Sequence, residues 1–292
     1  MKKELTISVI VVTKNRMALL SQCLSSLVGQ LKRRDEIVII DNGSTDATPD
    51  IIASYRTRLP IRSFRLMRGS YPELYNAGIS HAQRDIVVFL DDDCQAGTAF
   101  LRHIRSAHIF HPNTVIQGIT YSIPKGNMYA EIMGDHYKNW LRTMRISGNM
   151  MRAFDNKNAS MPRALFHAFG GFYPKMSRGS EDIELGLRLT RHAVPILLDR
   201  TVIAYHHERT TLEGFLAQHR RIAASEGYLD RIVPQGERLG IIPLQKLLLH
   251  TKSFLQREVY YVSRGEVKNA GMLPLLYLAL AWIRITGYAT NR

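Results

Sequence analysis

The chain has 292 residues, 45% of them hydrophobic, and carries a formal net charge of +14 at pH 7. Its length accommodates one large domain or one domain with an appendage, and its apolar fraction is that of an ordinary globular protein. The positive charge predicts an anionic partner, which is a nucleotide, a nucleic acid or an acidic membrane surface. The two cysteines make no disulfide framework, which fits a reducing cytosol.

The N-terminal segment MKKELTISVI contains basic residues, but polar residues follow its apolar run and no small-residue cleavage site is present. We therefore expect no signal peptide. No stretch reaches about 18 consecutive apolar residues, so we expect no transmembrane helix. A cytoplasmic location is the prediction that follows.

Strand and helix patterns alternate along the N-terminal third of the chain. Buried-strand patterns occur at 7–12, 36–40, 61–66 and 86–91, and helical spacing occurs at 17–31, 48–55, 72–81 and 99–110. This alternation predicts an α/β fold with a mostly parallel, doubly wound sheet.

The later part of the chain is less regular. Weak periodicity at 124–163 predicts an irregular functional loop or lid. A strand at 115–121, a helix at 181–191 and strands at 194–198 and 202–205 precede a helical, basic tail. We therefore divide the chain into a domain at 1–215 and a helical C-terminal extension at 216–292. Residues 215–292 carry 11 Lys or Arg against 5 Asp or Glu, a net charge of about +6.

Three aspartates, Asp91, Asp92 and Asp93, follow the most apolar of the strand patterns. Three adjacent like charges repel, and a divalent cation removes the repulsion. Side chains two apart on a strand point the same way, so Asp91 and Asp93 can converge on one ion while Asp92 points elsewhere. Carboxylates suit magnesium or manganese, which usually share such sites with substrate phosphates. A polar turn with helix-capping aspartates is the alternative.

Two candidates for the binding of a nucleotide accompany this cluster. Asp41 ends a strand, where it can accept a hydrogen bond from a nucleobase or cap the N–H groups of its own turn. Arg68 precedes a helix and can hold a phosphate, or it can be simply solvated. The same two interpretations apply to five further basic residues, which are Arg142, Arg145, Arg152, Lys157 and Arg163.

Glu181 and Asp182 begin a predicted helix, and His206 and His207 end a predicted strand. The acids can serve as a general base, or they can stabilise the helix N-terminus. A neutral imidazole is a good third ligand for manganese, although a structural histidine is the commoner case. Adjacent strand residues point to opposite faces, so we expect at most one of the two histidines to bind metal.

In their order along the chain, five motifs resemble the family-2 glycosyltransferases of the GT-A fold. They are SVIVVTKNR at 8–16, VIIDNGSTD at 38–46, FLDDD at 89–93, FGGF at 169–172 and SEDIEL at 180–185. The resemblance covers roughly residues 5–215.

The resemblance implies a donor site for a nucleotide sugar. In that family's arrangement, Thr13 and Asn15 line the nucleotide pocket, and Asp41 binds the base, usually uracil. Asp91 lies near the ribose and forms the DxD motif with Asp93. Arg68 becomes the candidate phosphate contact, because the arginine that many members carry before Asn76 is replaced here by Tyr75.

The resemblance also implies a metal site and a catalytic base. Asp93 binds manganese or magnesium with Asp91 as its DxD partner, and His206 is the third ligand. Asp182 is the catalytic base of an inverting transfer. After the FGGF motif, the usual acidic pair is replaced by Tyr173-Pro174-Lys175, which favours an anionic acceptor.

The function implied is the transfer of a sugar from a nucleoside-diphosphate donor, expected to be UDP-linked, to a hydroxyl of a cell-envelope glycan or a lipid-linked acceptor. The alternatives are a basic nucleic-acid-binding protein and a nucleotide-sugar-binding protein without turnover. We expect no nucleic-acid partner, because zinc-finger spacing and RNA-binding aromatic signatures are missing. The apolar segment at 273–283 either lies on an anionic membrane surface, as in a peripheral protein of the inner face, or packs on protein.

Overall fold

The structure is a computed structural model, which describes residues 4–176, 179–233, 255, 257, 259, 261–265 and 267–289. Two compact units make up the chain. The first consists of Met1–Ile123, Met144–Ser177 and Glu181–His207, and the second of Pro124–Thr143, Arg178–Ser180 and Glu208–Arg292. The division of the chain into domains at 215/216 stays a prediction.

The first unit is built around one sheet. Its strands are β1 (Ile7–Thr13), β2 (Glu36–Asp41), β3 (Ile61–Arg65), β4 (Ile86–Leu90), β5 (Cys94–Ala96), β6 (Val115–Ile123), β7 (Arg145–Ser147), β8 (Met150–Met151), β9 (Asn158–Pro162) and β10 (Ile196–His207). The helices within the described residues are α1 (Met17–Leu27), α2 (Thr48–Tyr55), α3 (Tyr71–His81), α4 (Phe100–Phe110), α5 (Met128–Met144), α6 (Arg163–Ala168), α7 (Glu181–Arg191), α8 (Leu212–Ile232) and α9 (Val267–Ala289).

The strand order is β3-β2-β1-β4-β9-β6-β10-β8-β7, and β5 pairs with β10. Strands β1 to β4 are mutually parallel where they pair, and β10 runs parallel to β6. Only β9 interrupts the centre of the described sheet, since it runs antiparallel to both β4 and β6. The predicted α/β class with a mostly parallel sheet is therefore confirmed.

Helices cover both faces of the sheet, as the unbroken apolar strands require. On one face, the core is formed by β1 and β4 against α1, α2 and α4. On the other face, Phe89 of β4 packs in a group of aromatic rings with Tyr75, Phe154, Phe166 and Phe172. Helix α3 lies close to the sheet there, because a Cβ at Gly78 would come within 2.7 Å of the Ile10 side chain.

The expectation of an irregular segment at 124–163 is wrong. The segment contains the 17-residue helix α5 and three strands. In the second unit, Met128, Ile132 and Met133 of α5 are buried with Phe215 of α8 and Leu273 of α9. The sequence pattern does not reveal the apolar face of α5, because many polar residues lie between its apolar ones. The burial of this face depends on α8 and α9, which are far away in sequence.

One further expectation about local structure needs correction. The strands expected at 194–198 and 202–205 are one strand, β10, whose register with β6 shifts between Leu198 and Ile203. In the C-terminal region, helix α9 continues through Pro274. Within the described ranges, no helix combines the length and apolar character needed to cross a bilayer.

Candidate active site

The carboxyl ends of β1, β2 and β4 meet at one edge of the sheet. Thr13 and Asp41 are paired in register, and the Asn42 amide donates to the Thr13 carbonyl at 2.9 Å. Asn15 adopts a left-handed conformation (φ 50°) and accepts from the Thr45 amide through its side-chain oxygen at 2.7 Å. The loops after β1 and β2 are therefore joined, and Thr13, Asn15 and Asp41 lie together at this edge, while their role in a nucleotide pocket stays a prediction.

The side chain of Asp41 is buried and already has local partners. One of its oxygens accepts from the Ser44 amide at 2.9 Å, and the other lies 3.8 Å from Arg65 Nε. One oxygen of Asp41 therefore caps an N–H group of its own turn, as the alternative interpretation predicts. The role of Asp41 toward a nucleobase stays a prediction. Arg68 lies exposed on the loop after β3, and its role toward phosphate stays a prediction as well.

The three aspartates after β4 have different partners. Asp91 accepts a hydrogen bond from the Tyr75 hydroxyl. Asp92 Oδ1 and Asp93 Oδ2 both accept from Arg16 Nη1, at 2.6 and 2.7 Å. The strand ends at Leu90, so strand alternation does not govern where these carboxylates point. Asp92 does not point away from the cluster, because Asp92 and Asp93 both accept hydrogen bonds from the Arg16 guanidinium.

Asp93 is placed beside His206 by the pairing of two strands. Strand β5 runs antiparallel to β10 and sets Cys94 opposite His206. His206 Nε2 lies 3.3 Å from Asp93 Oδ1, and ligand atoms of Asp93, Cys94 and His206 all lie within 4.8 Å of one another. The neighbouring imidazole of His207 contacts Gln95 Nε2 at 2.7 Å instead. Of the two histidines, His206 is the one that faces Asp93.

The chemistry of these groups fits manganese or magnesium. A carboxylate and a neutral imidazole are suitable ligands, and this class of site usually completes its coordination with phosphate oxygens. Burial, followed by the charges of Asp93 and Asp91, raises the pKa of the Cys94 thiol. Without a bound cation, Cys94 is therefore a protonated thiol. Asp93 and His206 would hold the cation, and Asp91 lies outside this group of three.

Burial dominates the electrostatics of the aspartates. It raises the pKa of Asp91, and the charge of Asp93 adds to the shift. It raises the pKa of Asp92 to about 7, against the opposing charge of Arg16. Lys157, whose Nζ lies 2.7 Å from Asp155 Oδ2, lowers the pKa of Asp91 through its charge. A site with this many buried carboxylates favours the arrival of positive charge.

Asp182 lies in the first turn of α7, held by two backbone amides. Its Oδ2 accepts from the Asn156 amide at 3.1 Å, and its Oδ1 accepts from the Ile183 amide at 2.8 Å. The Asn156 side chain also donates to Glu181 Oε1 at 2.9 Å. Burial raises the pKa of Asp182 well above its usual value, and the charges of Glu181 and Asp155 add to the shift.

Two features connect the aspartate cluster with the acids of α7. Adjacent residues of the loop before β9 serve both, because Lys157 acts on Asp91 while Asn156 binds Asp182. The phenol of Tyr75 has its pKa raised by burial and then by the charge of Asp91, with a further contribution from Glu181. Asp91 and Asp182 thus belong to one network within the first unit.

The FGGF motif is held in place by an arginine and an amide side chain. Arg188 of α7 donates to the carbonyls of Phe169 and Gly171, the latter at 2.8 Å, and pairs with Glu184 at 2.7 Å. Asn76 of α3 exchanges two hydrogen bonds with the backbone of Phe172, at 2.8 and 2.9 Å. This turn therefore links α3 and α7, which carry Tyr75 and Asp182.

Arg16 is the residue of this site that sequence reasoning missed. It ends the motif at 8–16, and nothing in the local pattern shows which carboxylates it meets. Of the five further basic residues considered for phosphate, Lys157 lies at the cluster, whereas the backbone and side chain of Arg163 contact Asp85 and Arg84 at the opposite end of β4. The sequence carries no acidic motif next to Arg16, so it offers no local signal for these contacts.

Residues 8–169 match the sequence model of Glycosyl transferase family 2, and the chain belongs to this family. It is 31% identical to a validoxylamine A glucosyltransferase of Streptomyces hygroscopicus subsp. jinggangensis over 239 residues, which are 70% of this chain and 56% of that protein. It is 23% identical to a hyaluronan synthase of Pasteurella multocida over 237 residues, 69% of this chain and 24% of that protein. The chain thus spans about half the length, or less, of these relatives.

Solved structures show the same fold. A mannosyltransferase from Pyrobaculum calidifontis, in complex with GDP-mannose and Mn²⁺, superposes with a TM-score of 0.69 at 17% identity and covers 99% of this chain and 88% of its own. The S. aureus TarS fragment 1–349, in complex with UDP-GlcNAc, superposes with a TM-score of 0.56 at 19% identity and covers 98% of this chain and 90% of its own. The predicted GT-A fold is confirmed.

Proposed function

We propose that this chain is an inverting glycosyltransferase that moves a sugar from a nucleoside-diphosphate donor to an acceptor hydroxyl with the help of a divalent cation. One observation carries the proposal. A carboxylate and an imidazole, Asp93 and His206, lie 3.3 Å apart at the edge of the sheet where α/β folds bind ligands, in one network with a carboxylate of raised pKa, Asp182.

In this proposal, the donor lies along the loops after β1 and β2. Thr13 and Asn15 line the nucleotide pocket, Asp41 faces the base, Asp91 lies near the ribose, and Arg68 contacts phosphate. Asp93 and His206 hold manganese or magnesium. When bound, such a cation would neutralise the charge that develops on the departing diphosphate.

Asp182 is the general base in this account. Its two hydrogen bonds from backbone amides fix the orientation of the carboxylate, and its raised pKa makes it a stronger proton acceptor than an ordinary aspartate. It takes the proton of the acceptor hydroxyl as the oxygen attacks the anomeric carbon. Attack opposite the leaving diphosphate inverts that carbon.

For the donor we propose a UDP-linked sugar, and for the acceptor a glycan or lipid-linked glycan of the cell envelope. Support for UDP comes from the family's usual choice at the position of Asp41 and from the UDP-GlcNAc complex of the TarS fragment, whereas the Pyrobaculum calidifontis mannosyltransferase binds GDP-mannose. The exposed segment Tyr173-Pro174-Lys175 supports an anionic acceptor, because it replaces the acidic pair of other family members with a lysine.

We propose that the C-terminal helix contacts an anionic membrane surface from the cytoplasmic side. Leu275, Leu278 and Trp282 are spaced three and four residues apart on one face of α9 and are 69%, 64% and 70% exposed. The net positive charge of residues 215–292 favours binding to acidic lipid. Flotation with vesicles of pure phosphatidylcholine, and of phosphatidylcholine mixed with phosphatidylglycerol, tests this. If the chain binds neither kind of vesicle, the exposed face of α9 is better explained by contact with a protein partner.

Turnover tests the main proposal. The chain is incubated with UDP-, GDP-, dTDP- and CDP-linked sugars, with manganese or with EDTA, and release of each diphosphate is measured with and without glycan acceptors. We expect one donor to be consumed only with the metal, and NMR of the product to show an inverted anomeric centre. Binding of a donor without turnover under every condition would favour a nucleotide-sugar-binding protein instead.

A further inference from the structure

Arg16 occupies an unusual position for a charged side chain in the loop before a helix. Its backbone is fixed, since its amide donates to Thr48 Oγ1 at 3.1 Å and its carbonyl accepts from the Leu20 amide at 2.9 Å. One nitrogen of its guanidinium, Nη1, contacts Asp92 at 2.6 Å and Asp93 at 2.7 Å. Both carboxylates are nearly inaccessible to solvent, with side-chain exposures of 5% and 7%.

The two oxygens of Asp93 therefore have different neighbours. Oδ2 accepts the hydrogen bond from Arg16, and Oδ1 faces His206 at 3.3 Å. A hydrogen bond to a cationic donor is strong and directional, so Arg16 restricts the rotation of the carboxylate. A cation held between Asp93 and His206 would bind the carboxylate through Oδ1 alone.

Arg16 also carries a full positive charge within the same low-dielectric site. This charge repels any divalent ion at Oδ1, and the repulsion is strong because the carboxylates between the two are shielded from water. A nucleoside diphosphate adds negative charge and oxygen ligands, which compensate the repulsion. The bare protein and the nucleotide-bound protein therefore differ in their affinity for the cation.

We propose that Arg16 is an internal counter-ion of the cation site. It orients Asp93 and keeps affinity for the bare cation low, so that the cation is bound tightly only together with the nucleotide diphosphate. This proposal rests on the proposed function, because it assigns the cation site to Asp93 and His206. Arg16 is thus a positioning residue, which acts on the cation through Asp93.

The test measures binding of Mn²⁺ alone, without nucleotide, by the loss of the free-ion signal in electron paramagnetic resonance. Three proteins are compared: the unaltered chain, Arg16→Met, which removes the charge, and Arg16→Lys, which keeps it. We expect Arg16→Met to bind Mn²⁺ at least about tenfold more tightly than the unaltered chain, and Arg16→Lys to stay within about threefold of it. Arg16→Gln replaces the methionine variant if that variant melts below the assay temperature.

The control is the double variant Arg16→Met/Asp93→Ala, in which the gain in Mn²⁺ affinity should disappear if it arises at this site. Equal or weaker binding of Mn²⁺ by Arg16→Met would overturn the proposal, provided that the unaltered chain binds Mn²⁺ in the presence of UDP or another nucleoside diphosphate. If the unaltered chain binds no Mn²⁺ with or without any of these nucleotides, the proposed function itself fails, and this inference fails with it.

Discussion

Replacing Asp182 with asparagine separates its role as a base from its role in the fold. Both carboxylate oxygens accept backbone amides, from Asn156 at 3.1 Å and from Ile183 at 2.8 Å. An asparagine side chain has one acceptor, so its NH₂ group must face one of the two amides. Leaving one such donor unpaired costs about 1–3 kcal/mol. Removal of a charge that burial disfavours offsets part of this cost, so we expect the free energy of unfolding near neutral pH to fall by less than about 2 kcal/mol.

The effect on catalysis should be much larger than the effect on stability. Loss of a positioned general base typically lowers the rate by about 10²–10⁴-fold, and we expect the kcat of Asp182→Asn to fall in this range while the Kd for the donor nucleotide changes by less than about threefold. The matched control is Glu181→Gln, which keeps an acceptor for the Asn156 side chain. It should retain most of the turnover, because Glu181 holds the network but does not take the proton.

The pH dependence gives an independent check of the same assignment. Burial and the charges of Glu181 and Asp155 raise the pKa of Asp182, so the ionised form needed for catalysis is lost as the pH falls through that raised value. The kcat/KM of the unaltered chain should therefore decrease toward acidic pH, starting at a higher pH than an ordinary aspartate would give. An asparagine variant with undiminished kcat, or with the same acidic decrease in kcat/KM, would refute the reasoning.

Three further changes test the packing that supports the site. Tyr75→Phe removes the hydrogen bond to Asp91 and should lower the free energy of unfolding by about 2 kcal/mol in urea titrations; a loss below about 0.5 kcal/mol would contradict a strong bond to the carboxylate. Burial lowers the pKa of His108 from 6.5 to about 4, so the unfolded chain takes up a proton at a higher pH than the folded chain does. The free energy of unfolding should therefore fall by about 2 kcal/mol between about pH 7.5 and pH 5, and His108→Asn should abolish this decrease. Parallel pH profiles of stability for the unaltered chain and the variant would refute this assignment. Arg188→Met leaves the carbonyl of Gly171 without its charged donor and should destabilise by about 3 kcal/mol, and full stability of this variant would show that the turn needs no such support.

Much of the fold could be predicted because its signals are local. The strand β4 is a continuous apolar run and β1 is mostly apolar, and α2 and α7 begin and end at the residues that the pattern indicates. The edge of the sheet where Asp91 and Asp93 lie follows from parallel pairing alone. Helix α5 could not be predicted, since its apolar residues become a face only against α8 and α9.

The same distinction applies within the site. Asp93 and His206 lie together, as the family resemblance implied, but their contact depends on the short strand β5, which has no pattern of its own. Arg16 is 76 residues before Asp92 in the sequence, and its contact with the acids is a property of two loops that fold toward each other. Tyr75 was recognised only as a departure from the family pattern. Its hydrogen bond to Asp91 could not be inferred without the packing of α3 on the sheet.

Calorimetric titration of UDP, with and without manganese, into the unaltered chain and into Asp93→Ala tests the central claim most directly. A ligand that shares its site with the cation should bind the unaltered chain at least about tenfold more tightly with the metal, and this gain should vanish in the variant. GDP, dTDP and CDP are titrated in parallel to identify the base. A metal-dependent gain that survives in Asp93→Ala would place the cation elsewhere. The absence of binding by all four nucleotides would contradict a nucleotide-sugar site at this edge of the sheet.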